Sequence, residues 1–173
     1  MPDSQCWMIR QARLADLVSI ASLEAKIWKE MAVDQAILAK RFRRFPAGFL
    51  VAEDAHSLGG FCMALRVAPQ DLTVDRIGWM SLERHRTDGS VLFLLGLTVD
   101  PLFRRRGIGT ALARAEVELG RTIGSESVQL VANDSSVDLF TQIGFRIVRR
   151  LEGTPFDGVA KLMPSPTQMI LNL

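Results

Sequence analysis

Apolar runs alternate with amphipathic segments along the chain, and the longest apolar run, VLFLLGLTV, covers Val91–Val99. A run of this length fits a buried strand and is too short to cross a bilayer. Pro101 has no N–H group for a ladder, so we expect the strand to end near Asp100. From Ile108 onward, apolar residues recur at helical spacing, which predicts an amphipathic helix that ends near Gly124.

The first half of the chain predicts a strand, two helices and a β-hairpin, at residues 6–11, 14–29, 34–44 and 49–67. In the hairpin, the polar segment 53–60 separates two apolar runs and forms the turn. The segment 69–90 has no clear hydrophobic period. Loops of that length are often either functional or disordered, and the pattern does not decide between these two interpretations.

The second half predicts a strand at residues 128–132, a short helix between Asn133 and Gly144, and two further strands at residues 145–151 and 168–173. Asn133 and the serines after it are typical of a helix start, and Gly144 is typical of a helix end. The segment between the last two strands is rich in Gly and Pro and indicates a loop. The order of the elements predicts an α/β fold, a mixed sheet with helices packed on it.

Length, net charge and cysteine count favour a single-domain protein and argue against nucleic-acid-binding, secreted disulfide-rich and membrane-spanning proteins. At 173 residues the chain is long enough for one domain, which we expect to cover residues 6–173 after a short tail at 1–5. A net charge of +2 is too small to argue for nucleic-acid binding. Two cysteines cannot form a secreted disulfide framework, and no stretch resembles a signal core or a membrane span. We therefore expect a cytoplasmic protein without metal, nucleic-acid or membrane partners.

The turn between the Val91–Val99 strand and the following helix carries three arginines and two glycines. Its sequence from Arg104 to Gly109 is RRRGIG. A helix start offers free N–H donors and the positive end of the helix dipole, and glycine lets an anion approach the backbone. The turn therefore predicts an anion site.

Two familiar phosphate-binding loops do not fit this turn. A nucleotide-hydrolase loop needs Lys-Ser or Lys-Thr after its last glycine, whereas Ile108 and Gly109 follow Gly107 here. A dinucleotide fingerprint needs a glycine directly at the strand end and a third one at the position that Leu112 occupies. The turn thus gives only weak support to a nicotinamide-dependent oxidoreductase.

The turn fits the pattern Arg/Gln-x-x-Gly-x-Gly/Ala, and the chain resembles the GCN5-related N-acetyltransferase (GNAT) family. LLGLTVDP resembles the fourth strand of that family, and Asn133–Phe145 resembles its next motif, an asparagine, a short helix and Gly-Phe. IRQARLADLVSIASLE resembles the opening strand and helix. The resemblance implies a single-domain fold with a mostly antiparallel sheet of six or seven strands, about four helices, and two splayed strands that form a cofactor slot.

The family resemblance implies acetyl-CoA as co-substrate. In the family this turn holds the pyrophosphate of coenzyme A. The resemblance therefore implies that the pyrophosphate is bound here by Arg104, Arg105, Arg106, Gly107, Ile108, Gly109 and Thr110. The strand backbone pairs with the pantetheine arm, which implies Leu97, Thr98 and Val99, with the Val99 N–H near the thioester oxygen. Gly96 inside a strand favours a bulge or a close backbone approach, although packing alone also explains it. Asn133 is implied on the pantetheine arm, or as the N-cap of its helix, or in both roles.

The proton carriers of the reaction are not evident from the sequence. Many family members have a tyrosine acid on the helix after the asparagine, but Phe140 occupies that position and the chain contains no tyrosine. Because a thiol has a pKa of about 8.5, the thiolate of coenzyme A is a tolerable leaving group that can take its proton from water, without such an acid. Glu83, His85 and Asp88 are weak candidates for the base, since loop residues are more often simply solvated.

The resemblance implies an acyl-CoA-dependent N-acetyltransferase that moves an acetyl group directly to a primary amine in a ternary complex. The amine is a small molecule, an antibiotic-like amine or a protein amino group. The alternative is an acyl-CoA-binding sensor or scaffold with the same fold and little turnover, motivated by Phe140 and the missing base. Trp28, Trp79 and the segment 69–90 are candidate determinants of the acceptor. The family is often dimeric, so a homodimer is one expected assembly.

Overall fold

The computed structural model describes residues 7–73, 84–152 and 165–173, and in these segments seven strands form one sheet flanked by four helices. The strands are β1 (Met8–Gln11), β2 (Phe49–Glu53), β3 (Leu58–Val67), β4 (Val91–Val99), β5 (Ser127–Ala132), β6 (Arg146–Arg150) and β7 (Thr167–Asn172). The helices are α1 (Leu17–Trp28), α2 (Gln35–Arg44), α3 (Ile108–Thr122) and α4 (Asp134–Ile143). The predicted mixed α/β fold is confirmed.

The sheet has the strand order β1-β2-β3-β4-β5-β7-β6. All neighbours are antiparallel except β4 and β5, which run parallel and are connected through α3. The final strand β7 lies between β5 and β6, so the chain end is held inside the sheet. The parallel pair at the centre is the place where the site described below is built.

The ends of the helices follow local sequence signals. The Asp34 carboxylate accepts a hydrogen bond from the Ile37 N–H at 2.8 Å and caps α2. Gly144 ends α4 with a φ of 111°, and Gly124 follows α3 with a φ of 70°. These left-handed values suit glycine, which has no Cβ to clash with the backbone.

Helices cover both faces of the sheet. On one face α3 and α4 pack with alternate strand residues such as Leu50, Cys62 and Leu94. On the other face α1 and α2 pack on the residues in between, such as Phe49 and Phe61. This alternation is the period-two pattern of strands buried on both sides. Within the described segments, no helix is long and apolar enough to cross a bilayer.

Candidate functional site

The central strands β4 and β5 separate partway along their length. They pair only from Val91–Leu94 to Ser127–Leu130, although β4 continues to Val99 and β5 to Ala132. Beyond that point a groove with a volume of about 540 Å³ opens between them. The β5-facing edge of the second half of β4 therefore has no strand partner in the described chain, which confirms the predicted splay.

A bulge in β4 marks the start of the groove. Met63 of β3 pairs with Gly96 and Ala64 pairs with Leu94, so Leu95 has no opposite residue. An extra residue bends its strand and increases the local twist, which turns the end of β4 away from β5. The bulge that Gly96 favoured in the sequence is thus present.

The groove reaches both faces of the sheet. Its lining residues come from α1, β4, the turn, β5 and α4: Ile27, Trp28, Leu94–Val99, Arg104, Leu130, Val131, Asn133, Ser135, Ser136, Leu139 and Phe140. Because α1 and α4 lie on opposite faces, two ligands can enter this gap from opposite sides. The lining is largely apolar, with polar groups concentrated toward the turn and the start of α4.

Trp28 fixes one wall of the groove. Its Nε1–H donates a hydrogen bond to Thr98 Oγ1 at 2.9 Å, and the Thr98 residue is buried. This contact ties the last turn of α1 to the end of β4. Since the Thr98 hydroxyl is held by Trp28, this side chain acts as part of the wall.

The turn after β4 is held at its base by Asp100. The Asp100 carboxylate accepts from the Leu102 N–H at 2.9 Å and pairs with Lys26 Nζ at 2.8 Å. The Lys26 ammonium is the main reason that the pKa of Asp100 lies below its usual range. Arg104 Nε donates to the Val99 carbonyl at 3.4 Å. The turn is therefore anchored to β4 and α1 before it reaches α3.

Arg105–Thr110 presents a row of free backbone donors. Arg105 and Gly107 have left-handed φ values of 61° and 78°. In the described part of the chain, no backbone N–H from Arg105 to Thr110 donates a hydrogen bond. Left-handed residues in a turn and the open start of a helix both direct N–H groups into one concave surface. Such a surface binds anions such as phosphate.

The two glycines of the turn, Gly107 and Gly109, are required for different structural reasons. A Cβ at Gly107 would meet nothing within 4 Å, so its left-handed φ is the reason for glycine there. A Cβ at Gly109 would meet Leu139 Cδ1 at 3.2 Å, so that glycine allows α3 to approach α4. Ile108 is 1% exposed, which leaves its backbone rather than its side chain for a ligand. The Arg106 guanidinium lies over the Phe103 ring, 5.3 Å from its centre.

Asn133 is both an N-cap and a lining residue. Its Oδ1 accepts hydrogen bonds from the hydroxyls of Ser135, at 2.7 Å, and Ser136, at 2.9 Å. Ser136 Oγ accepts from the Asn133 N–H at 3.2 Å and completes the capping box. No described residue accepts a hydrogen bond from its Nδ2 amide group, and Asn133 is one of the residues that line the groove.

Phe140 lies in the groove wall as one ring of a packed aromatic pair. The residue is 5% exposed, and its ring meets Phe145 edge-to-face with centres 5.5 Å apart. No hydroxyl is available at this position for proton transfer. The side chain therefore contributes shape to the groove.

Of the three weak candidates for the base, the two that the structure describes, His85 and Asp88, are not among the residues that line the groove. His85 is buried near the other end of β4, where Nδ1 accepts from the Arg66 N–H at 3.3 Å and the ring contacts Phe45. Burial, with nearby Arg44 and Arg66, lowers the pKa of His85. Asp88 is exposed and pairs with Arg86. Glu83, like Trp79, lies outside the described residues.

Two buried carboxyl groups were not predicted from the sequence. Glu24 in α1 is 4% exposed, and Glu116 in α3 is 1% exposed. Burial raises the pKa of Glu24, and it raises the pKa of Glu116 to about 8. The available signal was position, because both glutamates fall on the apolar faces of their helices. The sequence does not show whether such a residue finds a hydrogen-bond partner in the fold.

Comparisons with known proteins agree with this geometry. The model of the acetyltransferase (GNAT) family matches residues 14–145, which is most of the chain. No curated protein matches the sequence.

Solved structures share the architecture over nearly the full chain. Ard1 from Thermoplasma volcanium is 22% identical, with 97% of this chain and 98% of that chain covered and a TM-score of 0.74. The GNAT-like decarboxylase GphF, solved with isobutyryl-CoA, is 25% identical, with coverages of 95% and 98% and a TM-score of 0.77. The acetyl-CoA-bound yncA from Salmonella typhimurium is 19% identical, with coverages of 97% and 94% and a TM-score of 0.69. On the family match and the fold together, the chain belongs to the GNAT family of acetyltransferases.

Proposed function

We propose that this protein transfers an acetyl group from acetyl-CoA to a primary amine that meets it in the groove between β4 and β5. The observation that carries the proposal is the groove itself, which has a turn with free backbone N–H groups at one end and reaches both faces of the sheet. Family membership supports acyl transfer from an acyl-CoA. The identity of the acceptor and the direct transfer are parts of the proposal.

The residues of the groove fit coenzyme A. The free N–H groups of Arg105–Thr110 are proposed to hold the pyrophosphate, with Arg104 and its neighbours reaching other phosphate oxygens through charge-assisted bonds. The backbone of Leu97–Val99 is proposed to pair with the pantetheine arm along the open edge of β4. The amide of Asn133, a residue that lines the groove, is proposed to donate to the same arm.

The proposed reaction needs few protein groups. The acceptor ammonium, with an ordinary pKa near 10.4, first loses a proton. The amine nitrogen then attacks the thioester carbonyl carbon, the C–N bond forms and the C–S bond breaks. The nitrogen loses its second proton as the amide forms; one proton ends on the thiolate and the other in water. An N–H of β4 near the thioester oxygen, that of Val99, stabilises the charge that develops there.

Phe140 favours a second candidate, an acyl-CoA-binding sensor or scaffold without turnover. The position that holds the tyrosine acid in many relatives has no titratable group here. The two functions share the donor site and differ only in whether free coenzyme A is produced.

A thermal-shift titration and a thiol-release screen test both candidates together. A specific ligand at 100 times its dissociation constant stabilises a protein by about 2.7 kcal/mol. We expect acetyl-CoA to raise the melting temperature and an amine in a broad panel to release coenzyme A. No shift at millimolar acetyl-CoA contradicts both candidates, whereas a shift without release from any amine favours the sensor.

A Phe140→Tyr enzyme is expected to keep its activity and its fold. The added hydroxyl extends from a ring that already lines the groove, so it restores the acid of other family members without creating a cavity. We expect kcat to rise where protonation of the thiolate limits the rate, and to stay within about twofold where it does not. Steady-state kinetics on the two proteins measures this, and loss of activity with the fold intact contradicts the expectation that the groove accepts a hydroxyl at position 140.

A further inference from the structure

The two faces of the groove differ in chemistry. On the face of the sheet that carries α4, the lining includes the polar residues Asn133, Ser135 and Ser136, next to the turn with its free N–H groups. On the face that carries α1, the lining side chains are apolar except that of Thr98, whose hydroxyl Trp28 holds. The apolar residues there are Ile27 and Trp28 of α1, Leu95 of β4 and Val131 of β5. The polar face suits the phosphates and amides of the donor, which leaves the apolar face for the acceptor.

The alternation of side chains along β4 and β5 produces this apolar face. Leu94 and Leu130 pack into the cluster under α3 and α4, whereas their neighbours Leu95 and Val131 pack into clusters on the opposite face. Leu94 and Leu130 are buried, but Leu95 and Val131 are only partly buried, because the two strands have separated there. Apolar surface left open in a concave site favours an apolar ligand, because that ligand leaves water on binding.

Trp28 gives this surface a fixed aromatic wall. The one polar group of its indole, Nε1–H, already donates to Thr98 Oγ1 at 2.9 Å, and Thr98 is 3% exposed. The apolar ring is therefore what Trp28 offers to a ligand in the groove. A ring that is already held in place loses little freedom when a ligand packs against it, and an aromatic ligand gains a further ring contact.

The charge of the lining narrows the acceptor further. Among the lining residues that the structure describes, Arg104 alone is charged, and it follows the helical turn Pro101–Phe103 at the polar end of the groove. A second ammonium group on the acceptor, as in a polyamine or an aminoglycoside, would enter apolar surroundings and meet no carboxylate among these residues. Removing such a charge from water without a partner costs free energy.

We propose that the α1 face of the groove is the acceptor subsite and that it selects a primary amine with an uncharged aromatic side group. Trp28 is the specificity-determining residue, and Ile27, Leu95 and Val131 complete the apolar surface. The amine nitrogen reaches the thioester through the gap between β4 and β5, while the aromatic group stays on the α1 side. The inference rests on the proposed function and names the substrate class of the same site.

Three primary amines test this selection: 2-phenylethylamine, pentylamine and 1,4-diaminobutane. Pentylamine and diaminobutane have the same length, and the far end of the chain is a methyl group in one and an ammonium group in the other. At saturating acetyl-CoA we expect kcat/KM to be at least about tenfold higher for pentylamine than for diaminobutane. For phenylethylamine we expect a further increase of about threefold over pentylamine, from the contact with the Trp28 ring.

Trp28→Leu removes the aromatic wall and keeps an apolar side chain. We expect the ratio of kcat/KM for phenylethylamine over pentylamine to fall to about one in this variant, and to be kept in part in Trp28→Phe, which retains a ring. Trp7→Leu is the matched control, since Trp7 packs against the main apolar cluster and is not among the lining residues. It is expected to keep the ratio. A ratio of two substrates on one protein does not depend on how much of that protein is folded, so a purely structural effect leaves it unchanged.

Equal or higher kcat/KM for diaminobutane than for pentylamine, or an unchanged phenylethylamine-to-pentylamine ratio in Trp28→Leu, overturns the inference. Release of coenzyme A by polar amines or peptides alone overturns it too and leaves the acetyltransferase function intact. A thermal shift with acetyl-CoA but no release from any amine also overturns it and favours the sensor. A missing thermal shift instead contradicts the proposed function itself.

Discussion

Replacing Gly107 with glutamate is expected to weaken acetyl-CoA binding about 100-fold, which corresponds to about 2.7 kcal/mol. The carboxylate would stand among the free N–H groups of the turn, compete for them and repel the pyrophosphate. Space is available for the side chain, since a Cβ at Gly107 meets nothing within 4 Å. The loss of affinity therefore comes from charge. Isothermal titration calorimetry with acetyl-CoA measures it.

Gly124→Glu is the matched control for this variant. Gly124 has a similar left-handed φ of 70°, equally open surroundings, and a place at the opposite end of α3. Both variants are expected to lose about 1–2 kcal/mol of folding free energy to backbone strain. Only the Gly107 variant is expected to lose affinity. Equal affinity for acetyl-CoA in the two variants contradicts the assignment of the pyrophosphate to the turn.

Glu116→Gln is expected to abolish a loss of stability that the unmodified protein shows between pH 5 and pH 8. Glu116 lies in the main apolar cluster, where Cys62 Sγ–H donates to Oε1 at 3.2 Å and Oε2 has no partner in the described residues. Burial raises its pKa to about 8 from an ordinary value of 4.5. The carboxyl is thus protonated in the folded protein at neutral pH, and ionisation requires a charge in an apolar core.

The direction of the pH dependence follows from the two pKa values. Below pH 4.5 both the folded and the unfolded states hold the proton, so the contribution of the group to stability is complete there. As the pH rises from 4.5 to 8, only the unfolded state releases the proton, and stability falls by about 1.4 kcal/mol per unit. From pH 5 to 8 the loss is on the order of 3 kcal/mol, or about 6–12 °C in melting temperature.

Glutamine keeps the shape of Glu116 and cannot ionise, so its variant should lack this slope. Glu118→Gln changes an exposed carboxylate of the same helix, paired with Arg121, and is expected to behave like the unmodified protein. Thermal unfolding at several pH values between 5 and 8 distinguishes them. The same slope in the Glu116→Gln variant and the unmodified protein contradicts a proton held on Glu116.

The sequence predicted those parts of the site that depend on local signals. Gly107 needs a left-handed φ, Asn133 caps a helix, and Gly144 ends it, and each requirement involves residues close along the chain. Apolar runs likewise located β4 and α3, because burial on a strand or a helix leaves a period in the sequence. The family motif then joined these local features into one donor site.

Features that depend on distant contacts were not predictable in this way. Nothing in the closing strand indicates that β7 lies between β5 and β6, since that position depends on pairing with strands far away in sequence. The burial of Glu24 and Glu116 depends on which helices and strands cover them. The left-handed φ of Arg105 also follows from the path of the whole turn, because arginine has no preference for it.

The most direct test of the central claim, that the turn holds the pyrophosphate of coenzyme A, compares coenzyme A with pantetheine. Pantetheine keeps the arm proposed for β4 and lacks the pyrophosphate. Calorimetry on the unmodified protein should show much tighter binding of coenzyme A, and the Gly107→Glu variant should bring the two affinities close together by weakening coenzyme A alone. A variant that keeps the original ratio of the two affinities would contradict the account.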